Sequence, residues 1–330
     1  MEINIALKKA IEILTDSKSK KHPPFSEKSS ENGGVFISHQ NYILDSRILM
    51  LHSFKLKNSE KSLEWLVFNP NFLLDQDHQS IFFELIRRRL ENEPVSKIRG
   101  YKEFYEYQFL VSQDVLDPRP DSETLIELVI EYFKNNNDNT KINKKFLEMF
   151  TGSGCLAITV LKQFNNFTAI ASDISNEAIN IAEQNATINQ VVDRINFITS
   201  DNFDNISGEF DFFIANPPYI ATSDIKDLQP DVRDYEPLIS LDGGFDGLDF
   251  YRIIAKKVGN FLKKDSPIFL EIGHNQFADV NKIFVNNDFV LENFKQDLSG
   301  INRALCFKKL NDTQKERSGS RLSSGWRNQK

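Results

Sequence analysis

The sequence has few cysteines and histidines and no long apolar run. Its 330 residues include two cysteines, Cys155 and Cys306, without a Cys-x-x-Cys pair, and five scattered histidines. These counts argue against a disulfide framework or structural zinc, so we expect no metal site. No apolar run approaches the roughly 20 residues of a membrane span, and the amino terminus lacks the basic start and apolar core of a signal peptide. We therefore expect a cytoplasmic protein without a membrane partner.

An excess of basic residues is also missing. Forty Lys and Arg residues stand against 47 Asp and Glu residues, which gives a formal net charge of −7 and a pI near 5.4. This balance disfavours a broad basic surface for duplex nucleic acid, although it leaves a local basic cleft open. The hydrophobic residues, 40% of the chain, suffice for a sizeable core and favour one large domain with a smaller companion.

The amino-terminal part is predicted to be a small helical domain. Apolar residues recur at helical spacing within residues 1–91. A stretch at 16–40, rich in Lys, Ser and Glu, interrupts them and is expected to form a mobile loop. Residues 92–118 alternate aromatic with polar side chains, which predicts a short β-hairpin linker.

Residues 119–310 have the pattern of an α/β domain. Short apolar strands alternate with helices and glycine-marked turns, which predicts a parallel sheet covered on both faces. The seven candidate strands are KFLEMF, TAIASD, INFITSD, FDFFIAN, PIFLEIG, FVLENF and ALCFKKL. Residues 311–330 form a polar tail that we expect to be disordered.

Two polar motifs follow successive predicted strands, where open α/β sheets bind ligands. Thr151-Gly152-Ser153-Gly154 opens a helix whose terminal N–H groups can face a ligand, although an ordinary strand-to-helix turn remains an alternative. Asp173 lies about 20 residues beyond Gly154, the spacing at which a carboxylate accepts hydrogen bonds from a ribose diol. A helix N-cap is the commoner role for such an Asp.

The third motif, Asn216-Pro217-Pro218-Tyr219, is the most specific. Two prolines fix the backbone and cannot donate, so the Asn216 side-chain oxygen and the Pro217 carbonyl can both accept from one planar NH2 group. Tyr219 would supply an aromatic wall. This arrangement predicts methyl transfer to an amide or an exocyclic amine, with a rigid proline turn as the alternative.

From about residue 40 to about residue 310, the chain resembles the HemK/PrmC family of release factor glutamine N5-methyltransferases. The segments that carry the resemblance are RRRLENEPVSKIRGYKEFYEYQFLVSQDVLDPRPDSETLIE, IANPPYI, DVRDYEPLISLDGGFDGLDFYRII and FLEIG. It implies a seven-stranded Rossmann-like class I methyltransferase domain at 119–310 and a release-factor-docking helical domain at 1–91. S-adenosylmethionine is the implied methyl donor. The implied substrate is the glutamine of the Gly-Gly-Gln motif in peptide chain release factors, with no direct nucleic-acid partner.

The resemblance also implies roles for individual residues. The turn from Phe150 would wrap the methionine part of the cofactor, Asp173 would hold its ribose, and Asp201 with Asn202 would lie beside the adenine. Arg119 and Pro120 match a family segment that borders the active site; an ion pair of Arg119 with Asp121 or Glu123 is the alternative. Glu236-Pro237 also matches, although a helix-start carboxylate explains Glu236 equally well. The implied cofactor-binding set is Phe150, Thr151, Gly152, Ser153, Gly154, Asp173, Asp201, Asn202 and Asn216; the catalytic set is Asn216, Pro217 and Tyr219; the substrate-binding set is Asn216, Pro217, Pro218, Tyr219 and Arg119.

One position departs from the family pattern. Where the family has (D/E)LGTGSG, this chain has EMFTGSG, so Phe150 replaces the first glycine. If that position requires a positive φ, the β-carbon costs about 1–2 kcal/mol, and the ring could also fill the methionine pocket. Phe150 therefore leaves open a catalytically weakened release-factor-binding protein. The Asn216-Pro217-Pro218-Tyr219 motif leaves open, separately, an N-methyltransferase acting on adenine or guanine amino groups of nucleic acid.

The polar tail has its own resemblance. ERSGSRLSSGWRNQ, within residues 311–330, is similar to the start of a tRNA guanine-N7 methyltransferase that is fused to some family members. The resemblance implies a remnant of such a fusion or a linker, and an incidental polar terminus is the alternative.

Overall fold

The computed structural model describes residues 1–21, 41–135 and 142–310. The chain divides into two compact units, one made of residues 1–101 with 229–235 and one made of residues 102–228 with 236–330. The predicted tail at 311–330 and most of the predicted loop at 16–40 lie outside the described residues. Within the described part of the chain, no helix is both long enough and apolar enough to cross a membrane.

The first unit is helical. Helix α1 buries Ile3, Ala6, Ala10 and Leu14, which recur at the spacing of one helical face. It continues to Lys21, so the expected start of a loop at residue 16 is wrong. The helices are α1 (Ile3–Lys21), α2 (Tyr42–Leu56), α3 (Leu63–Phe68), α4 (Gln76–Leu90), α5 (Val95–Arg99) and α9 (Pro230–Arg233).

Side-chain caps define where three of these helices begin. Asn41, Ser62 and Asp75 each accept a hydrogen bond from a backbone N–H in the first turn of α2, α3 and α4, respectively. These contacts satisfy N–H groups that have no partner inside the helix, and each is worth about 1 kcal/mol. The cap residues therefore divide the helical pattern of residues 42–90 into three elements.

A two-stranded hairpin follows α5, as the alternation of aromatic and polar residues predicts. Strand β1 (Tyr101–Phe104) pairs with β2 (Tyr107–Leu110). The two turn residues, Tyr105 and Glu106, both have positive φ, at 48° and 70°. Such values are typical of the type I′ turns that match the twist of paired strands.

The second unit is built on a seven-stranded sheet in the order β5-β4-β3-β6-β7-β9-β8. Strand β9 runs antiparallel to both of its neighbours, so the sheet is mixed and the expected parallel order does not hold at this strand. The strands are β3 (Lys144–Met149), β4 (Phe167–Asp173), β5 (Ile195–Thr199), β6 (Phe212–Ala215), β7 (Pro267–Glu271), β8 (Phe289–Gln296) and β9 (Asn302–Lys309).

Helices cover both faces of this sheet. On β6, Phe212 and Ile214 pack with one core, whereas Phe213 and Ala215 pack with the other, because successive strand side chains point to opposite faces. The first core includes residues of α6 (Glu123–Asn135), α7 (Cys155–Gln163) and α8 (Asn176–Ile188), and the second includes residues of α10 (Asp249–Lys257) and α11 (Phe277–Val285).

The topology places several chain segments at one edge of the sheet. Strands β3 to β7 are mutually parallel, so their carboxyl ends lie side by side. Phe150, Asp173, Asn216 and Glu271 stand at or just after the ends of β3, β4, β6 and β7. This is the edge at which open α/β sheets bind ligands.

Candidate functional site

The turn after β3 has an unusual backbone. Phe150, Gly152 and Gly154 have φ values of 60°, 51° and 79°, all in the left-handed region. A β-carbon added at Gly154 would lie 3.0 Å from Cδ1 of Ile158 and 3.2 Å from Cβ of Ala182. Gly154 is therefore needed for both conformation and space, whereas Phe150 adopts its φ against the preference of an L side chain.

The Phe150 ring is part of a hydrophobic cluster rather than isolated. It is half-buried, packs against the core that α10 and α11 cover, and meets Phe250 edge-to-face with ring centroids 5.0 Å apart. Phe150 has the positive φ on which the expected cost of its β-carbon depended, so the condition for backbone strain is met.

Glu148 is a wholly buried carboxylate two residues before Phe150. Its Oε2 accepts a 2.5 Å hydrogen bond from the Thr151 hydroxyl. Burial raises the pKa of Glu148 to about 8, although hydrogen bonds from Thr151 and the backbone N–H of Ala157 oppose the rise. The Thr151 hydroxyl thus stabilises the turn by donating to Glu148.

Asp173, at the end of β4, is fixed by backbone donors. Its Oδ2 accepts from the Gly152 N–H at 2.9 Å and its Oδ1 from the Ser175 N–H at 3.0 Å, and the Ile174 N–H contributes a further bond. Burial raises the pKa of Asp173, and these three hydrogen bonds limit the rise. A carboxylate has about four lone-pair sites, so acceptor capacity remains for a ligand hydroxyl.

Asp201 and Asn202 follow β5. Asn202 has a positive φ of 48°, and its Nδ2 donates to Oδ1 of Asp201 at 2.7 Å. Its Oδ1 is buried and has no hydrogen-bond partner among the described residues. A buried acceptor without a partner is costly, so this atom marks a place where a ligand donor would be stabilising.

The Asn216-Pro217-Pro218-Tyr219 segment follows β6 directly. The Nδ2 of Asn216 donates to the Ser122 hydroxyl at 3.3 Å. The Tyr219 phenol points to Oε1 of Glu271 at 3.5 Å, and burial raises the pKa of Tyr219 far enough to keep it neutral. Tyr219 is held in place by the core behind the site, which it joins as a half-buried ring.

Arg119 forms an ion pair, but not with the partners considered from the sequence. Its guanidinium donates to Oε1 of Glu236 at 2.9 Å, rather than to Asp121 or Glu123. Oε2 of Glu236 also accepts from the Asp117 N–H at 3.2 Å. Glu236 therefore ties the segment before α6 to the loop after α9. The buried Glu236 carboxylate also stands just before the 3-10 helix Leu238–Ser240, so the helix-start explanation stays open beside the ion pair.

Several of these segments line one cleft, whose cavity volume is about 180 Å3. Phe250 forms part of its wall together with Phe150. Among the described residues that line the cleft, three are Asp and none is Lys, Arg or His, so its field favours a cationic ligand. The lining residues are Asp114, Val115, Leu116, Met149, Phe150, Gly152, Ser172, Asp173, Ile174, Ser175, Ala178, Ser200, Asp201, Asn202, Asn216, Pro218, Pro237, Ile239, Ser240 and Phe250.

The structure brings most of the expected site residues to this cleft. Seven of them line it directly: Phe150, Gly152, Asp173, Asp201, Asn202, Asn216 and Pro218. The other six are not among the residues that line it: Thr151, Ser153, Gly154, Pro217, Tyr219 and Arg119. Sequence reasoning missed Asp114, Val115, Leu116 and Phe250. The first three lie in the segment VSQDVLDP, which the aromatic pattern assigned to the hairpin linker, although β2 ends at Leu110.

Comparison with known proteins finds two matching families. Residues 36–100 match the PrmC N-terminal domain, and residues 120–229 match the Methyltransferase small domain. A release factor glutamine methyltransferase of Agrobacterium fabrum is 38% identical over 248 residues, which is 75% of this chain and 86% of that protein. The corresponding protein of Thermodesulfovibrio yellowstonii is 34% identical over 81% of this chain and 92% of its own length.

Longer relatives match as well. A bifunctional methyltransferase of Rickettsia conorii is 37% identical over 307 residues, which is 86% of this chain and 58% of that protein. The chain thus spans somewhat more than half the length of these relatives. Among solved structures, the hMettl16 catalytic domain in complex with the MAT2A 3′UTR hairpin 6 superposes with a TM-score of 0.50 at 15% identity, covering 62% of this chain and 76% of that one. At this identity the likeness shows the shared α/β fold alone.

Proposed function

The chain belongs to the release factor glutamine methyltransferase family, and from this premise we propose that it transfers a methyl group from S-adenosylmethionine to the side-chain amide N5 of a release factor glutamine. The observation that carries the proposal is the placement of Asn216 on the cleft wall, with its amide nitrogen turned to Ser122. The substrate residue would be the glutamine of the Gly-Gly-Gln motif.

The residues of the cleft fit S-adenosylmethionine. Asp173 retains acceptor capacity for a ribose hydroxyl beside the Gly152 turn. The buried Oδ1 of Asn202, which has no partner among the described residues, suits a donor such as the adenine amino group. The acidic lining suits a cationic sulfonium, and the Phe150 ring, packed on Phe250, forms part of the cleft wall.

The chemistry follows from how the chain holds the substrate amide. S-adenosylmethionine, when bound, supplies an electrophilic methyl group on a positively charged sulfur. Asn216 Oδ1 and the Pro217 carbonyl would each accept a hydrogen bond from the glutamine NH2, which fixes the nitrogen and stabilises the positive charge that develops on it. Neither proline can donate a competing N–H.

The proposal is tested by incubating the purified chain with tritiated S-adenosylmethionine and a release factor. Label should enter the release factor, and peptide mass spectrometry should place one methyl group on the Gly-Gly-Gln glutamine. A release factor with that glutamine replaced by alanine is the control and should stay unlabelled. In a parallel incubation with tRNA or DNA in place of the release factor, label that is lost on nuclease treatment would instead favour the nucleic-acid alternative.

The variant Asn216→Ala separates substrate positioning from cofactor binding. We expect at least a hundredfold loss of turnover, on the order of 3 kcal/mol of transition-state stabilisation, because the amide loses an oriented acceptor. Calorimetric titration with S-adenosylhomocysteine should show a Kd within about threefold of wild type. Unchanged turnover would contradict the assignment of Asn216.

A wild-type chain that is folded but binds no S-adenosylhomocysteine would favour the catalytically weakened release-factor-binding protein instead.

A further inference from the structure

Glu271 is a buried carboxylate beside Asn216 that the proposed function does not use. It is 1% exposed and ends strand β7. In the parallel pairing of β6 with β7, Ala215 is the register partner of Leu270. Asn216 and Glu271 are the next residues of the two chain segments, so they lie side by side at the same edge of the sheet. The register therefore places Glu271 next to Asn216.

The groups around Glu271 are mostly donors. The Tyr219 phenol lies 3.5 Å from Oε1 of Glu271, and the side chains of Ser122 and Asn216 lower the pKa of the carboxyl as donors. Its Oε2 is buried and has no hydrogen-bond partner of good geometry among the described residues. The charge of Arg303 also lowers the pKa of Glu271, but the Arg303 guanidinium pairs with Asp297 at 3.2 Å and with Asp121 at 3.4 Å. Glu271 therefore faces neutral donors, and the cation that acts on it is paired with two other carboxylates.

This arrangement determines which end of the Asn216 amide can face the cleft. Ser122 and Glu271 lie on the side of Nδ2, where the amide donates. A carboxylate only accepts, so it disfavours the flipped amide, in which Oδ1 would point at it. The remaining direction for Oδ1 is toward the cleft that Asn216 lines.

We infer that Glu271 is a positioning residue that holds the Asn216 amide with Oδ1 toward the substrate. The inference rests on the proposed function for its catalytic meaning, although the amide orientation is a property of the protein alone. Glu271 does not touch the reacting atoms and acts through Asn216. Ser122, from the segment that also carries Arg119, is the second support of the same amide.

The protonation state of Glu271 gives the inference a distinctive signature. Burial raises the pKa of Glu271 to about 7, against the hydrogen bonds from Ser122 and Asn216 and the charge of Arg303. A protonated carboxyl donates as well as accepts, so it also tolerates the flipped amide. The other titratable groups facing it are Asp121, Tyr219, Tyr251 and Cys155.

The experiment compares wild type with Glu271→Gln, whose amide has the size of the carboxyl but can donate to Asn216. Wild-type kcat should rise with pH through about 7, because the carboxylate form holds the productive amide. Glu271→Gln should lose about tenfold in kcat and lose this pH dependence. Its KM values and its Kd for S-adenosylhomocysteine should stay within twofold of wild type. Retained kcat with the same pH profile would overturn the inference.

A second measurement does not depend on methylation. In protein labelled with [15N]asparagine, the side-chain NH2 signals of Asn216, assigned by their loss in Asn216→Ala, should shift with pH around 7. Glu271→Gln should abolish this shift. Signals that do not titrate in wild type would refute the inference even if release factor is methylated. A titrating signal without methylation would refute the proposed function instead.

Two further variants complete the design. Ser122→Ala removes the other support of the Asn216 amide, so we expect a threefold to tenfold loss in kcat with unchanged KM, and this variant carries the test if Glu271→Gln does not fold. Asp211→Asn is the matched control, because Asp211 is a carboxylate just before the opposite end of β6, bonded to Lys145 and Lys263. It should leave kcat, the pH profile and the Asn216 signals as in wild type; loss of the pH dependence here would overturn the inference.

Discussion

At the scale of single residues, Phe150 shows how a side chain can occupy a position that favours glycine. Its φ of 60° is unfavourable for any residue with a β-carbon. The ring recovers part of that cost by packing on Phe250 and the core behind it. The strain is present in the free protein, so it affects stability directly, whereas cofactor affinity depends on the space that the ring occupies.

A matched pair of variants isolates the backbone strain. Phe150→Gly and Phe150→Ala both remove the ring and differ only in the β-carbon, so Phe150→Gly should be more stable by about 1 kcal/mol. Urea unfolding followed by fluorescence measures the difference. The same pair at Asn180, exposed within α8, should show the reverse order, because glycine weakens an ordinary helix by about 1 kcal/mol relative to alanine. An alanine variant at position 150 that equals the glycine variant would contradict the left-handed backbone.

The positions of cleft residues were predictable where a motif restricts the chemistry and were missed where a contact depends on the fold. The polar groups Asp173, Asn202 and Asn216 were expected and do line the cleft. The sequence placed Glu271 in the predicted strand PIFLEIG but gave it no role, because its nearness to Asn216 follows only from the register of β6 with β7. The Arg119 partner was missed because Glu236 lies more than a hundred residues away in the chain.

At the scale of elements, helix α8 fastens the hairpin and the glycine turn to the sheet. Asn185 is fully buried; its Oδ1 accepts from the Leu110 N–H at 2.6 Å, and its Nδ2 donates to the carbonyls of Leu110 and Ser153. Asn189, one turn later, donates to the Gln108 carbonyl at 3.0 Å. One helix face thereby satisfies backbone groups of both β2 and the turn that forms the cleft floor.

We expect Asn185→Ala to destabilise the protein by about 3 kcal/mol, because it leaves buried backbone groups of Leu110 and Ser153 without partners. Loss of the Ser153 contact also loosens the turn, so the Kd for S-adenosylhomocysteine should rise. Chemical denaturation and calorimetric titration measure the two effects. Asn180→Ala, on the exposed face of the same helix, should change stability by less than about 0.5 kcal/mol. An Asn185→Ala protein as stable as this control would refute the fastening role.

The existence of a helix or strand was predictable where the spacing of apolar residues within that segment indicates it. All seven strands of the sheet correspond to apolar runs in the sequence, because buried strands require such runs. The direction of β9 was not predictable from its composition, since an inner strand has the same apolar pattern in either direction. The end of α1 at Lys21 was missed because its last turns are polar.

At the scale of the whole molecule, the carboxyl edge of the sheet concentrates buried acids. Glu148 and Glu271, at β3 and β7, are both wholly buried, with pKa values raised to about 8 and about 7 by desolvation. Burial also raises the pKa of Asp173 on β4. Near neutral pH the folded state therefore binds protons that the unfolded chain has released, which couples stability to pH.

The sign of that coupling is a prediction for the intact chain. Glu148 has an ordinary pKa near 4.5 when unfolded and about 8 when folded, so its stabilising effect is complete below pH 4.5 and is lost as the pH rises through 8. Wild-type unfolding free energy should fall between pH 6 and 8, by up to about 1.4 kcal/mol per pH unit for each such group. Glu148→Gln cannot ionise, so its stability relative to wild type should increase over this range in urea titrations. The exposed Glu209→Gln should run parallel to wild type. A Glu148→Gln curve that is also parallel would mean that Glu148 is already ionised in the folded state near neutral pH.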